Sequence, residues 1–166
     1  WLGTVIKDSG SLSHINVSAG STNTIKLISL GEKGWLWIND QYITELSLTE
    51  RTEGTIELMG GFYNGQGGDD IRYIFENVQI KSIGSMTVAN PSGSVEVKGG
   101  SGRSAGERVM IDQPITNMIM DFEIDNPEAK WSTGITFRRT EDGEFLYFMG
   151  MKGNYGSMYD SGHYSS

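Results

Sequence analysis

The run Gly34-Trp35-Leu36-Trp37-Ile38-Asn39-Asp40-Gln41-Tyr42-Ile43-Thr44-Glu45-Leu46-Ser47-Leu48 decides the fold class. Two segments of strand length flank Asn39-Asp40, a pair that tolerates positive φ, so the stretch reads as a hairpin with the shortest kind of loop. Side chains alternate across a strand, so Trp35 and Trp37 share one face while Leu36 and Ile38 share the other. Both faces of the first arm are then apolar. Its outer face calls either for cover by another subunit or for a role as a binding stripe.

Working outward, the same period of two recurs in Thr24-Ile25-Lys26-Leu27-Ile28, Thr55-Ile56-Glu57-Leu58 and Ile71 to Ile80, and again in Met118 to Ile124 and Gly134 to Arg138. Each run is bounded by Gly, Asn, Asp or Ser, and none carries a 3.6-residue stripe, so each predicts a half-buried strand. Glu141-Asp142-Gly143 and Gly31-Glu32-Lys33-Gly34 add two more hairpin turns. Many short strands with turn chemistry between them favour a sandwich or barrel over any α/β layering, and an all-β, two-sheet antiparallel sandwich is the expectation. Residues 84–106 are rich in Gly and Ser, keep only Val95-Glu96-Val97 as a strand, and read as a connection. From Gly150 onward the chain is loop-like, with one further strand expected.

At 166 residues the chain suits one sandwich. Thirteen basic against 21 acidic residues give a formal charge of −8, which repels phosphate backbones, so nucleic acid is not an expected partner. There is no Cys, so neither disulfide nor thiolate contributes. No apolar run reaches the roughly 20 residues that span a bilayer. The chain starts at Trp1 without a signal peptide and reads as a mature or excised segment.

The quoted hairpin resembles that of laminin-G and concanavalin-A-like jelly rolls. Gly60-Gly61-Phe62-Tyr63-Asn64-Gly65 followed by Ile71 to Ile80 is similar to the closing strand pair of that family. Asp121-Phe122-Glu123-Ile124-Asp125-Asn126-Pro127, Trp131 to Arg138 and Phe145-Leu146-Tyr147-Phe148 resemble its opening strands. The resemblance implies a jelly roll written in swapped order: 1–83 the late-strand half, 84–106 the connection, 107–166 the early-strand half. A circular permutant, one register-shifted period of a tandem array, and a subunit whose halves complete neighbouring copies all produce that order.

Chemistry is sparsely signalled, and no residue is assigned a catalytic role. Glycan hydrolases of this fold place paired carboxylates on one strand; here Asp121, Glu123 and Asp125 share a strand face, opposite a buried side of Met120, Phe122 and Ile124, and read as that strand's solvated side. His14 and His163 are isolated from other His ligands and read as surface loop residues. Gly102-Arg103-Ser104-Ala105-Gly106 matches Gly-x-Ser-x-Gly in letters but falls in the Gly/Ser-rich connection with no helical stripe after it, unlike a nucleophile elbow, and the Gly-rich runs at 65–68 and 99–102 lack the Lys-Ser/Thr of a phosphate loop. Calcium is the better metal: Asn64, Gln66, Asp69 and Asp70 bring oxygen ligands to one loop, which reads equally as a solvated turn rich in Asn, Asp and Gly for backbone reasons, with Asp125 and Asn126 as a second candidate pair. The resemblance adds that laminin-G-like domains often hold calcium at the sandwich rim. Aromatic side chains suited to stacking on sugars are Trp35 and Trp37 on the two-faced strand, and Trp1, Tyr155, Tyr159 and Tyr164 in loop-like surroundings near the chain ends. Asn16-Val17-Ser18 is a glycosylation sequon. The expectation is a non-catalytic extracellular or cell-surface module that adheres, coats or forms filaments with copies of itself, with glycan as a ligand. A carbohydrate-active enzyme domain of the same fold is the alternative.

Overall fold

Alternation of apolar and polar residues becomes a succession of antiparallel strands in a computed structural model, which describes residues 3–11, 13, 15–62, 72–84, 88–89, 95–98, 105–126, 131–139, 146–152 and 157–163. The strands are β1 (Gly3–Ser11), β2 (Thr22–Leu30), β3 (Lys33–Ile38), β4 (Gln41–Ser47), β5 (Gly54–Phe62), β6 (Arg72–Ser82), β7 (Val88–Ala89), β8 (Val95–Lys98), β9 (Ala105–Ile115), β10 (Met118–Asp125), β11 (Trp131–Arg139), β12 (Leu146–Lys152) and β13 (Ser157–His163). They form a six-stranded sheet in the order β1-β13-β12-β11-β5-β9 and a seven-stranded sheet in the order β4-β3-β2-β10-β6-β7, with β8 also on β6.

Both sheets draw strands from residues 1–83 and from 107–166, interleaved within one chain. In the seven-stranded sheet β10 lies between β2 and β6; in the other, β5 lies between β11 and β9. β1 and β13 are antiparallel neighbours with Gly3 opposite His163. The 84–106 segment is more structured than its composition suggests: β7, β8 and the start of β9 fall inside it, and β7 and β8 extend the sheet along β6. Their backbones find ladder partners on β6, which outweighs the weak strand propensity of the flanking Gly and Ser.

The core lies between the sheets. Ile25, Leu27, Leu36, Ile38, Leu46, Phe75, Val78, Ile80, Met118, Met120, Phe122 and Ile124 face inward from the seven-stranded sheet, and Ile56, Leu58, Ile135 and Phe137 from the other. Phe75 and Phe122 pack with ring centroids 6.0 Å apart. Each such side chain contributes about 1.5–3 kcal/mol through burial.

The expected tight turn is present: Asn39 and Asp40 have φ of 50° and 62°, the two positive values that a type I′ loop requires. Gly31, φ 57°, opens the turn from β2 to β3 and donates its N–H to Asn117 Oδ1 at 2.8 Å. The Glu141-Asp142-Gly143 turn lies outside the described residues, but β11 and β12 on either side of it pair antiparallel.

Alternation fails on β5 and β11. Glu57 is only 5% exposed and pairs with Arg139 at 2.6 Å. Thr133 to Arg138 are all buried, so β11 is covered on both faces. Arg138, 2% exposed with φ 55°, sits at a register shift against β5. Its guanidinium donates to the carbonyls of Leu48 (3.1 Å), Arg51 (2.5 Å), Gly31 (2.6 Å) and Thr116 (3.1 Å) and to Ser29 Oγ (2.7 Å). One cation thereby ties three inter-strand connections together. Gly54 permits this: a Cβ there would lie 2.2 Å from the Arg138 carbonyl carbon.

Candidate functional site

The outer face of the seven-stranded sheet is set by the register of its strands. One cross-strand row runs Tyr42, Trp37, Lys26, Asp121, Gln79 from β4 to β6. The next runs Glu45, Trp35, Ile28, Ile119, Lys81. Trp35 and Trp37 are half-buried on this outer face while Leu36 and Ile38 are sealed in the core, as the two-faced strand requires. Tyr42 is 55% exposed and meets Trp37 edge-on, ring centroids 5.6 Å apart at 65°, which fixes the indole plane.

A β-bulge completes the polar end of this face. Asn77 has φ 52°, and the register between β10 and β6 shifts where it sits. The extra residue leaves Phe75 and Val78 inside while both Glu76 and Asn77 face solvent. Asn77 Nδ2 then donates to Glu123 Oε2 at 2.9 Å.

Between these features lies an open groove of about 680 Å³. Trp37 and Asp40 stand at one end, Thr24, Lys26 and Ile28 on β2 and Asp121 and Glu123 on β10 form its middle, and Asn77 and Gln79 close the other end. Lys26 Nζ contacts Asp121 Oδ1 at 3.3 Å, with the two side chains 48% and 41% exposed. Asn39 holds the Trp37 end in place, its Oδ1 accepting from the Thr24 N–H at 2.9 Å and its Nδ2 donating to Asn23 Oδ1 at 3.0 Å. Beside the groove, Trp35 Nε1 donates to Glu45 Oε2 at 3.2 Å, and Lys33 Nζ meets Glu45 Oε1 at 2.9 Å. The hydrogen bond from Lys33 is the main reason the Glu45 carboxyl lies below the usual carboxylate range.

This arrangement offers a flat ring, amides and carboxylates along one surface, the set that holds a sugar by its apolar face and its hydroxyl edge. For acid–base chemistry it is less suited. Asp121 and Glu123 are two positions apart, with Cα atoms about 7 Å from each other. A glycosidase general acid is kept protonated by an apolar pocket; Asp121 stands half-exposed beside an ammonium, and Glu123 accepts an amide hydrogen bond.

The structure gathers Trp37, Asp121 and Glu123 around one groove, with Trp35 in the adjoining row. Tyr159 is not part of it: it lies on β13, in the other sheet, and in a strand instead of a loop, because Ser157–His163 has ladder partners on both sides in β1 and β12. His163 ends that same strand, which corrects its reading as a loop residue. Trp1, Tyr155, Tyr164, His14 and the calcium set Asn64, Gln66, Asp69 and Asp70 lie outside the described residues.

The second calcium pair is otherwise engaged. Asn126 is buried, its Nδ2 donates to Asn16 O (2.7 Å), Ser18 O (3.0 Å) and Ser21 Oγ (2.9 Å), and its Oδ1 accepts from Asn23 Nδ2 at 3.1 Å. Asp125 accepts from Thr22 Oγ1 at 2.7 Å. Asn126 fastens the 15–21 loop to the sheet, and Asp125 ties β10 to its neighbour β2. Among the described residues no three His, Asp or Glu side chains converge as a metal site. The sequon residue Asn16 is exposed, with Nδ2 donating to Thr22 O at 2.8 Å.

Lys26, Tyr42, Asn77 and Gln79 escape a reading of the chain because the register that brings them beside Trp37 is a tertiary property. Asn77 alone leaves a trace in sequence: Glu76-Asn77 puts two polar residues in succession within an alternating strand. No protein-family model and no curated protein matches this chain, so the site is read from its geometry.

Proposed function

We propose that this chain is a non-catalytic extracellular or cell-surface module that binds a glycan along the outer face of its seven-stranded sheet, in the service of adhesion or surface coating. The observation that carries this reading is the groove itself, in which the Trp37 ring and the hydrogen-bonding groups of Thr24, Asn77, Gln79, Asp121 and Glu123 face the same space. Aromatic rings dominate contact energetics because they bury a large area at little cost in conformational entropy, and the polar groups around them set orientation. The solvent-exposed setting of the two groove carboxylates favours binding over the carbohydrate-active alternative.

The test is a glycan array followed by titration with intrinsic tryptophan fluorescence. Trp37→Ala is expected to weaken any hit by at least about tenfold, the equivalent of roughly 1.4 kcal/mol. Tyr159→Ala, on the other sheet, is expected to leave it within about twofold. An array without hits overturns the glycan reading. Turnover of a bound glycan that disappears in Asp121→Ala or Glu123→Ala reinstates the enzyme.

A further inference from the structure

We infer that the groove prefers a cationic glycan, one built of amino sugars with free ammonium groups, over its neutral or anionic counterparts. The inference rests on the glycan-binding reading above and adds the charge of the ligand.

The groove lining carries more carboxylates than ammonium groups. Among the side chains that line the groove, Lys26 stands against Asp40, Asp121 and Glu123, with Glu76 across the ladder from Glu123; farther along β6 the register sets Arg72 opposite Lys98 and Ile74 opposite Glu96. Lys26 is already engaged with Asp121. Lys81 lies in the neighbouring row, opposite Ile119. Glu123 and Glu76 are direct cross-strand partners on the solvent side, and like charges in that position weaken a strand pair. The Asn77 bulge sharpens the effect, because it presents Glu76 and Asn77 together at the groove end and neutralises neither carboxylate. Asp40 repeats the sign at the opposite end, beside Trp37. Carboxylates therefore stand at both ends of the groove, Asp40 beside the Trp37 ring and Glu76 with Glu123 at the other, a setting complementary to a ligand with flat apolar faces and ammonium groups.

A basic peptide carries the same charge but fits the backbone less well. Extended peptides dock by adding a strand to a free sheet edge. The groove crosses β3, β2, β10 and β6, and the backbones of β2 and β10 are paired on both sides. It runs about 14 Å over three interstrand gaps of about 4.8 Å, so its floor is made of side chains. A short row of sugar rings lies across such a floor without needing backbone partners.

The experiment compares four ligands by calorimetry at low salt: a β-1,4-linked glucosamine tetramer, its fully N-acetylated form, an oligogalacturonate and an oligolysine. The glucosamine tetramer is expected to bind about tenfold more tightly than the N-acetylated one, with the galacturonate weakest. Added salt is expected to erode the difference. The double substitution Glu76→Gln and Glu123→Gln should bring the two tetramers to within about threefold, and Asp40→Asn, at the far end in a turn that suits Asn, should move the ratio the same way. Equal affinity of the wild type for both tetramers, or a preference that survives the double substitution, overturns the inference and leaves glycan binding standing. Oligolysine binding in the absence of any glycan binding overturns both, as does silence from all four ligands on a chain with native circular dichroism.

Discussion

Arg138 shows how one residue can matter more than its position in a pattern suggests. In sequence it is the polar end of an alternating run; in the fold it is a buried cation donating to four carbonyls and a hydroxyl. Hydrogen bonds from a charged donor contribute more than neutral ones, and an acceptor stripped of its donor keeps its desolvation cost. Arg138→Met is therefore expected to cost about 3 kcal/mol or more. Urea denaturation would register this as a lowered midpoint, and an unchanged midpoint would refute the role. Glu45 provides a second residue-scale expectation. Its carboxyl titrates below its ordinary value of 4.5 because of Lys33, so the favourable contact is complete above that pH and is lost as pH falls through the lower folded value. Trp35, bonded to the same carboxylate, should report this as a change in emission with a midpoint below 4.5, absent in Glu45→Gln. A wild-type transition at or above 4.5 would contradict the arrangement. That Trp37 lies on the face opposite Leu36 and Ile38 is legible from alternation; that this face is the outer one, and that Lys26 and Tyr42 flank it there, is not.

At the scale of elements, the β3–β4 hairpin is the part most fully encoded locally. Asn39 and Asp40 both take positive φ, and few other non-glycine residues accept that conformation. Asp40→Val should cost about 1–2 kcal/mol, the penalty of a left-handed conformation on a β-branched residue, while Asp40→Asn should stay within about 0.5 kcal/mol. Equal effects in thermal melts would argue against the type I′ geometry. β6 stands at the other extreme. Its alternation predicts a regular strand, yet the bulge at Asn77 changes which side chains reach the groove. A strand sequence cannot announce a bulge with certainty, because the ladder partner on β10 decides whether two residues oppose one. The 84–106 connection is a similar case: β7 and β8 become strands because β6 offers an edge to pair with.

For the molecule as a whole, the interleaving of strands from 1–83 and 107–166 in both sheets joins the two halves within one chain. β1 and β13 run antiparallel with Gly3 facing His163, so a short linker between residues 166 and 1 would turn them into a hairpin. We expect a permutant with that join, opened within 99–104, to unfold cooperatively and to keep the Trp37-dependent glycan signal. A permutant that aggregates or melts without cooperativity would count against the swapped jelly-roll order. Light scattering of the unpermuted chain should give a monomer, since each sheet finds its neighbours internally; a defined oligomer would place a second copy on a free edge or on the Trp35 row.

The sequence by itself determined that the fold is all-β: period-two alternation, turn residues that accept positive φ and the absence of any helical stripe leave antiparallel sheets, as a sandwich or a barrel, as the way to bury these side chains. It also determined that one strand has two apolar faces, since that depends only on neighbours two positions apart. Only the tertiary structure decided what those faces meet. Register between strands distant in sequence set Trp37 beside Lys26 and Asp121, a bulge turned Asn77 and Glu76 together toward the groove, and packing drew Arg138 and Glu57 inward. Local sequence specifies which way a side chain points from its own strand; the partners it finds there come from long-range pairing, whose free energy is shared among residues that no short stretch contains.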